Sequence, residues 1–304
     1  MTVAKENFIS IPEFLNLVNE KIILFLSILF LSVLISLIVA LILPNIYKSD
    51  ALISINAPSQ DPMSSMMDRY SGVASLAGIS LPSGGGQDKS LLAIETIKSR
   101  DFLKHLLKDS KLKINLMAYD SYNPVTKELY IDEGIYNQNK EIWLENDYYD
   151  QNEPTFLEVY EIYRENLSIS QDKVTGFVKL SFTHISPYFA QDLLQKIIDE
   201  ANNLLRVKAI DEADHSLKFL RQTLPQIAEK EIQYSINALI KQQLQSKMLA
   251  SANQDYLLKS IDTPLFPEKK SDPQRSLILL MGFMIGVMIN FIYLTIVITL
   301  RKSK

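Results

Sequence analysis

The chain has 304 residues, 47% of them hydrophobic and 22% charged, with a formal net charge of −4 and no cysteine. These values exclude disordered, collagen-like and low-complexity classes, and the missing cysteines exclude disulfides, thiolate metal sites and cysteine nucleophiles. The acidic balance argues against a nucleic-acid partner, whose footprint is a basic excess.

A mean hydropathy of +0.04 would suit an ordinary soluble domain, but the apolar residues are concentrated in two runs. Residues 22–43, IILFLSILFLSVLISLIVALIL, carry no charge. As a helix they reach about 33 Å, enough for a hydrocarbon core of roughly 30 Å. The run is longer than a signal-peptide core and Pro44-Asn45-Ile46-Tyr47 offers no small-residue cleavage site. A transmembrane helix is therefore expected at 22–43, and a second at 276–300, which is also uncharged. Two spans place residues 1–21 and 301–304 on one side and the loop 44–275 on the other. That loop holds 26 Lys and Arg against 32 Asp and Glu. Its size places it outside the cytoplasm, because long loops translocate largely regardless of charge. The basic tail 301–304 agrees. Ser32, Ser36 and Ala40 in the first span, and Gly282, Gly286 and Asn290 in the second, recur every four residues. Each set forms a small-residue face suited to close helix packing.

Along the loop, 49–56 alternates as a short strand. Residues 57–90 are rich in Ser, Gly, Pro and Met and read as a loop. The apolar spacing of 88–108 predicts an amphipathic helix broken near Ser99. Residues 119–153 are polar and Tyr-rich around the single Trp143, with little periodicity. Residues 154–166 read as a helix, and 167–170 with 177–182 as a hairpin with Gly176 at the turn exit. Ser186-Pro187 supplies a cap and first position for the next helix. Its apolar series runs on past Pro225 to Met248, which predicts one very long helix over about 187–250. Such a helix reaches roughly 90 Å if straight, so neighbouring copies are its natural cover. Pro225 is expected to kink it. Residues 256–261 read as a last strand. Pro264, Pro267 and Pro273 mark an extended connector into the second span.

Residues that could do chemistry are sparse. Gly84-Gly-Gly-Gln-Asp-Lys-Ser90 resembles a phosphate loop in outline, but Asp88 stands where a Walker A motif needs Gly. His105, His184 and His215 lie far apart without metal-ligand spacing. Asp211 lies four residues before His215, a spacing that suits a solvated contact. The carboxylates Asp132, Glu133, Glu141, Glu145, Asp147, Asp150 and Glu153 could suggest a glycosidase pair, yet acidic surface loops are commonplace. No catalytic, cofactor-binding or metal residue is expected.

The arrangement resembles the Wzz-type polysaccharide co-polymerases, or chain-length determinant proteins. The likeness is carried by Ile11-Pro-Glu-Phe-Leu-Asn-Leu, similar to the family's amphipathic segment before the first span, and by 167–182 with His184-Ile-Ser-Pro187. Ser216-Leu-Lys-Phe-Leu-Arg-Gln-Thr-Leu224 and the segment 261–275 followed by Gly282 and Gly286 complete it. It implies an α+β periplasmic domain with a very long extended helix, anchored in the bacterial inner membrane by two transmembrane helices, both termini cytoplasmic. It further implies a ring- or bell-shaped homo-oligomer that works with a Wzy-type polymerase on undecaprenyl-diphosphate-linked glycan. Such proteins set the modal length of O-antigen or a related polysaccharide without catalysing a reaction, surrounded by inner-membrane lipid. A capsule or exopolysaccharide export co-polymerase is the nearest alternative. Relatives can carry a cytoplasmic kinase, for which four residues after Leu300 leave no room. A two-span periplasmic sensor is a rival class and would need an output domain that the same tail is too short to supply.

Overall fold

The computed structural model describes residues 20–55, 86–145, 149, 152–253 and 255–302. The expected amphipathic segment at 11–17, most of the 57–90 stretch, Asp147, Asp150 and residues 303–304 lie outside these. The chain forms two units: Met1–Ile46 with Lys270–Lys304, and Tyr47–Lys269.

The first unit contains α1 (Ile22–Ile42) and α8 (Arg275–Lys302). Ile46 and Asp272 join in an antiparallel bridge, with Ile46 N–H donating to Asp272 O at 2.8 Å.

The second unit is built on a four-stranded antiparallel sheet in the order β6-β7-β1-β8. Its strands are β1 (Tyr47–Ile55), β6 (Leu167–Gln171), β7 (Val178–His184) and β8 (Leu258–Asp262). Alternation places Ala51 and Ile53 of β1 in the core, beside Val178, Leu180 and Phe182 of β7. The β6–β7 turn forms where Asp172 accepts from Val174 and Thr175 N–H, and Gly176 takes φ +76°. A Cβ is disfavoured in that conformation.

Helices cover one layer of this sheet. α2 (Gly86–Lys98) and α3 (Arg100–Leu106) are separated at Ser99, whose hydroxyl accepts from Phe102 N–H and caps the second helix. α5 (Phe156–Asn166) opens with a reciprocal capping box between Thr155 and Glu158. Its Tyr160 and Tyr163 hydroxyls donate to the last carbonyls of α2, Lys98 O and Ile97 O, each at 2.9 Å. α6 (Pro187–Thr223) starts with Ser186 accepting from Phe189 N–H and Pro187 at the first turn. Its Leu193, Leu194, Ile197, Ile198 and Ala201 complete the core with Phe102, Leu103, Leu106, Val159 and Tyr163.

Three features differ from the sequence expectation. A helix α4 (Ser110–Met117), capped by Asp109, precedes the Tyr-rich stretch. That stretch itself holds two small hairpins, β2 (Tyr119–Asn123) with β3 (Glu128–Ile131), and β4 (Tyr136–Asn137) with β5 (Ile142–Trp143). Strands this short carry too few residues for a period to show. The third difference is larger. In place of one helix over 187–250, α6 ends at Thr223, Pro225 sits in a 3₁₀ turn (Leu224–Gln226), and α7 (Lys230–Ala252) runs back along α6. Lys247 Nζ meets Asp214 Oδ1 at 2.5 Å across the two helices. The 3.6-residue period persists on both sides of a turn as readily as through a kink, so periodicity could not separate them. The hairpin is latched at its base by the buried Asn202, which accepts from Leu257 and Leu258 N–H and donates to Leu258 O.

His184 closes β7. It is buried between Tyr119 and Phe189, with Nδ1 accepting from Ser186 N–H at 3.1 Å. Burial outweighs the opposing backbone groups of Asn115 and Ser186 and pushes its pKa down from 6.5 to about 3. Below about pH 6.5 the unfolded chain binds a proton that folded His184 refuses until about pH 3, so stability falls as pH drops through that window. In chemical denaturation of the full-length protein, this adds up to about 1.4 kcal/mol per pH unit. A His184→Gln chain should show a correspondingly shallower dependence; an equal slope would refute the assignment.

A second test addresses the hairpin. Because the chain has no cysteine, Asp214→Cys with Lys247→Cys gives two unique thiols. A short thiol crosslinker should join them within one chain. On one straight helix these positions would be about 50 Å apart and would not react.

Candidate functional site

The membrane-type residues singled out by spacing come together in the first unit. α1 and α8 are both long and apolar enough to cross a membrane. They pack antiparallel, and their outward faces are apolar and exposed, as at Ile23, Phe30, Ile42 and Phe291. Ser36 is buried and its hydroxyl donates to Ile278 O at 2.6 Å. A Cβ at Gly282 would overlap the Ser36 side chain and come within 3.3 Å of Ser32 O. At Gly286 it would overlap Ser32 Oγ and reach 3.4 Å from Leu29 Cα. Ala40 is buried at 1% exposure, and Asn290 Nδ2 donates to Phe25 O at 3.1 Å. All six positions thus lie on one seam, where missing side chains let backbones approach and polar groups bond across. Lys21 Nζ meets the Tyr293 hydroxyl at 3.4 Å, and Tyr293 packs edge-on to Phe25.

The connector prolines fall in both units. In the second unit, Pro264 and Pro267 are buried. Gln191 Nε2 donates to Pro264 O at 3.0 Å, Leu265 N–H to Asp50 O at 3.0 Å and the Ser49 hydroxyl to Leu265 O at 2.9 Å. Proline has no N–H to continue a ladder, so β8 stops at Asp262 and the connector is held by alternate residues and carbonyls. In the first unit, Pro273 follows Asp272 through a cis peptide bond.

The candidates for chemistry are not assembled. His105 Nε2 pairs with Glu200 Oε2 at 2.8 Å, tying α3 to α6; His184 is in the core; His215 and Asp211 are exposed on α6. In the carboxylate cluster, Asp132 accepts from Gly134 N–H and Glu153 pairs with Lys113 at 2.7 Å. None of its described members is buried. The Gly-rich stretch continues into α2 from Gly86 onward. Among the described residues no three His, Cys, Asp or Glu side chains gather as a metal site.

One feature was not foreseen. A groove of about 790 Å³ opens beside the first turns of α6, lined by the β2–β3 hairpin and the connector at 263–264. Lys127, Tyr188 and Asp192 contribute to it. Lys127, the α6 residues Tyr188 and Asp192, and Thr263 lie on three segments that no local spacing relates, so the sequence held no signal for it.

No curated protein matches the chain significantly. Among solved structures, a full-length bacterial polysaccharide co-polymerase aligns at 13% identity and TM-score 0.33, covering 91% of this chain and 94% of that one. A fragment of WzzB, a polysaccharide co-polymerase from Salmonella Typhimurium, aligns at 15% identity and TM-score 0.27, covering 75% and 100%.

The seam makes a direct prediction. Gly286→Leu should destabilise the paired helices by about 1–3 kcal/mol, the usual range for overpacking. Thermal unfolding in detergent should show it, whereas Ile285→Leu, on an exposed position, should leave it unchanged.

The family model described as chain length determinant protein, Wzz, matches residues 7–110, so the resemblance to that family is shown over about the first third of the chain.

Proposed function

We propose that this protein is a non-catalytic polysaccharide co-polymerase that sets the modal chain length of O-antigen, or a related surface glycan, made by a Wzy-type polymerase. The match of 7–110 to the chain length determinant family carries this reading. Two helices able to span a membrane support an inner-membrane location, with the second unit in the periplasm and both termini in the cytoplasm. Self-association is supported by the helical hairpin. Its Phe219, Tyr234 and Met248 are 66%, 74% and 68% exposed, more apolar surface than a solitary hairpin in water favours. In the proposed mechanism, neighbouring hairpins form a wall beside the undecaprenyl-diphosphate-linked glycan. The α1–α8 seam holds each chain at a defined attitude in the bilayer and presents the spans to the polymerase.

The test is deletion of the gene followed by lipopolysaccharide gel analysis. Loss of the modal band, restored by the wild-type gene, supports the reading. An unchanged ladder overturns the O-antigen assignment, and a change confined to capsule would favour the export co-polymerase instead.

A further inference from the structure

We infer that the groove at the start of α6 is a saccharide-binding subsite that holds a short segment of the glycan directly. The inference rests on the chain-length reading for the identity of the glycan, and on the groove's own chemistry for the rest.

Its volume, about 790 Å³, lies within the range of small-ligand sites. Tyr188 supplies an aromatic wall. The ring is 37% exposed, and it leans on Phe266 at a centroid distance of 4.7 Å, so it is held in place. Around it stand Asn115, Lys127, Asp192, Gln195 and Thr263. Asn115 is half-buried, and neither its side-chain amide nor the Asp192 carboxylate has a partner among the described residues. Asn115, half-buried, and Asp192, exposed, thus retain hydrogen-bonding capacity for a ligand. The groove carries one cation and one anion together with amides and hydroxyls, a poor match for a phosphate or an organic cation. A sugar fits both features: its C–H face lies on an aromatic ring, and its hydroxyls both donate and accept.

Lys127 points the same way. It ends the β2–β3 turn at φ +62°, after Asn123 has accepted from Val125 and Thr126 N–H. Glycine is the favoured residue in that conformation. Strain of this kind is found where a side chain is used, and here the Lys127 ammonium is 5.5 Å from the centre of the Tyr188 ring.

The experiment uses the full-length protein in lipid nanodiscs and oligosaccharides of a few repeat units cut from the host strain's own surface polysaccharide. Dextran oligomers of equal length serve as control. Saturation-transfer NMR should show transfer to the host oligosaccharide, and dextran should bind at least about tenfold more weakly. Tyr188→Ala should weaken binding about fivefold to tenfold, the contribution of one aromatic contact. Lys127→Gly, which suits the backbone conformation, should weaken it by roughly threefold while thermal unfolding stays at or above the wild-type temperature. No transfer to the wild-type protein, equal binding of dextran, or unchanged affinity in both variants would overturn the subsite. If gene deletion still removes the modal band, the chain-length reading survives that loss. If deletion leaves the band unchanged, that reading fails, whatever the binding data show.

Discussion

The second unit depends on the pairing of β1 with β8. Ile53 faces Ser260 and Ile55 faces Leu258, so residues some 200 positions apart are neighbours and everything between them is a closed excursion. Loop-closure cost rises only logarithmically: a loop ten times longer costs about 2 kcal/mol more. That slow growth lets the unit carry a helical layer, two small hairpins and a long helical hairpin between paired strands. β1 also pairs with β7, from Tyr47 opposite His184 to Ile53 opposite Val178. Being central, β1 leaves no free edge of its own, and its Ala51 and Ile53 meet α6 in the core.

The two units are stabilised by different physics. In the second, burial of Phe182, Tyr163, Leu194 and Ile197 removes apolar surface from water, at roughly 25 cal/mol per Å². Between α1 and α8, both long and apolar enough to cross a membrane, that drive would be weak in a bilayer, where lipid is as apolar as leucine. Close approach over Gly282 and Gly286, with the Ser36 and Asn290 hydrogen bonds, takes its place. The same residue types would weaken a soluble helix, where glycine costs about 1 kcal/mol relative to alanine.

The helical hairpin combines a firm base with an apolar surface. Up to Leu205, α6 buries a continuous face in the core; beyond it only Ala213 and Leu217 are buried. α7 buries Ile236 and Ala250. Asn202 holds the base through three hydrogen bonds in the core, an arrangement that stabilises because each buried polar group is satisfied. Phe219, Tyr234 and Met248 of the hairpin remain exposed.

Much of this was legible in residue order. The two apolar runs, the Ser186-Pro187 helix start, the break at Ser99 and the Gly176 turn are local signals, each set by chemistry within a few residues, and each appears at or within a few positions of where it was read. The small-residue faces of the spans were legible too, because a four-residue repeat is itself a statement about a helix face. Three things needed the tertiary structure. Pro225 could kink or reverse the chain, and only the packing of α7 on α6, sealed by Asn202 and by Lys247 with Asp214, chose reversal. Strand order depends on pairings between distant segments, about which a period-two pattern carries no information. The groove joins Lys127, Tyr188 and Thr263 from three separate segments, and proximity of that kind is created by folding and by nothing in the order of the residues.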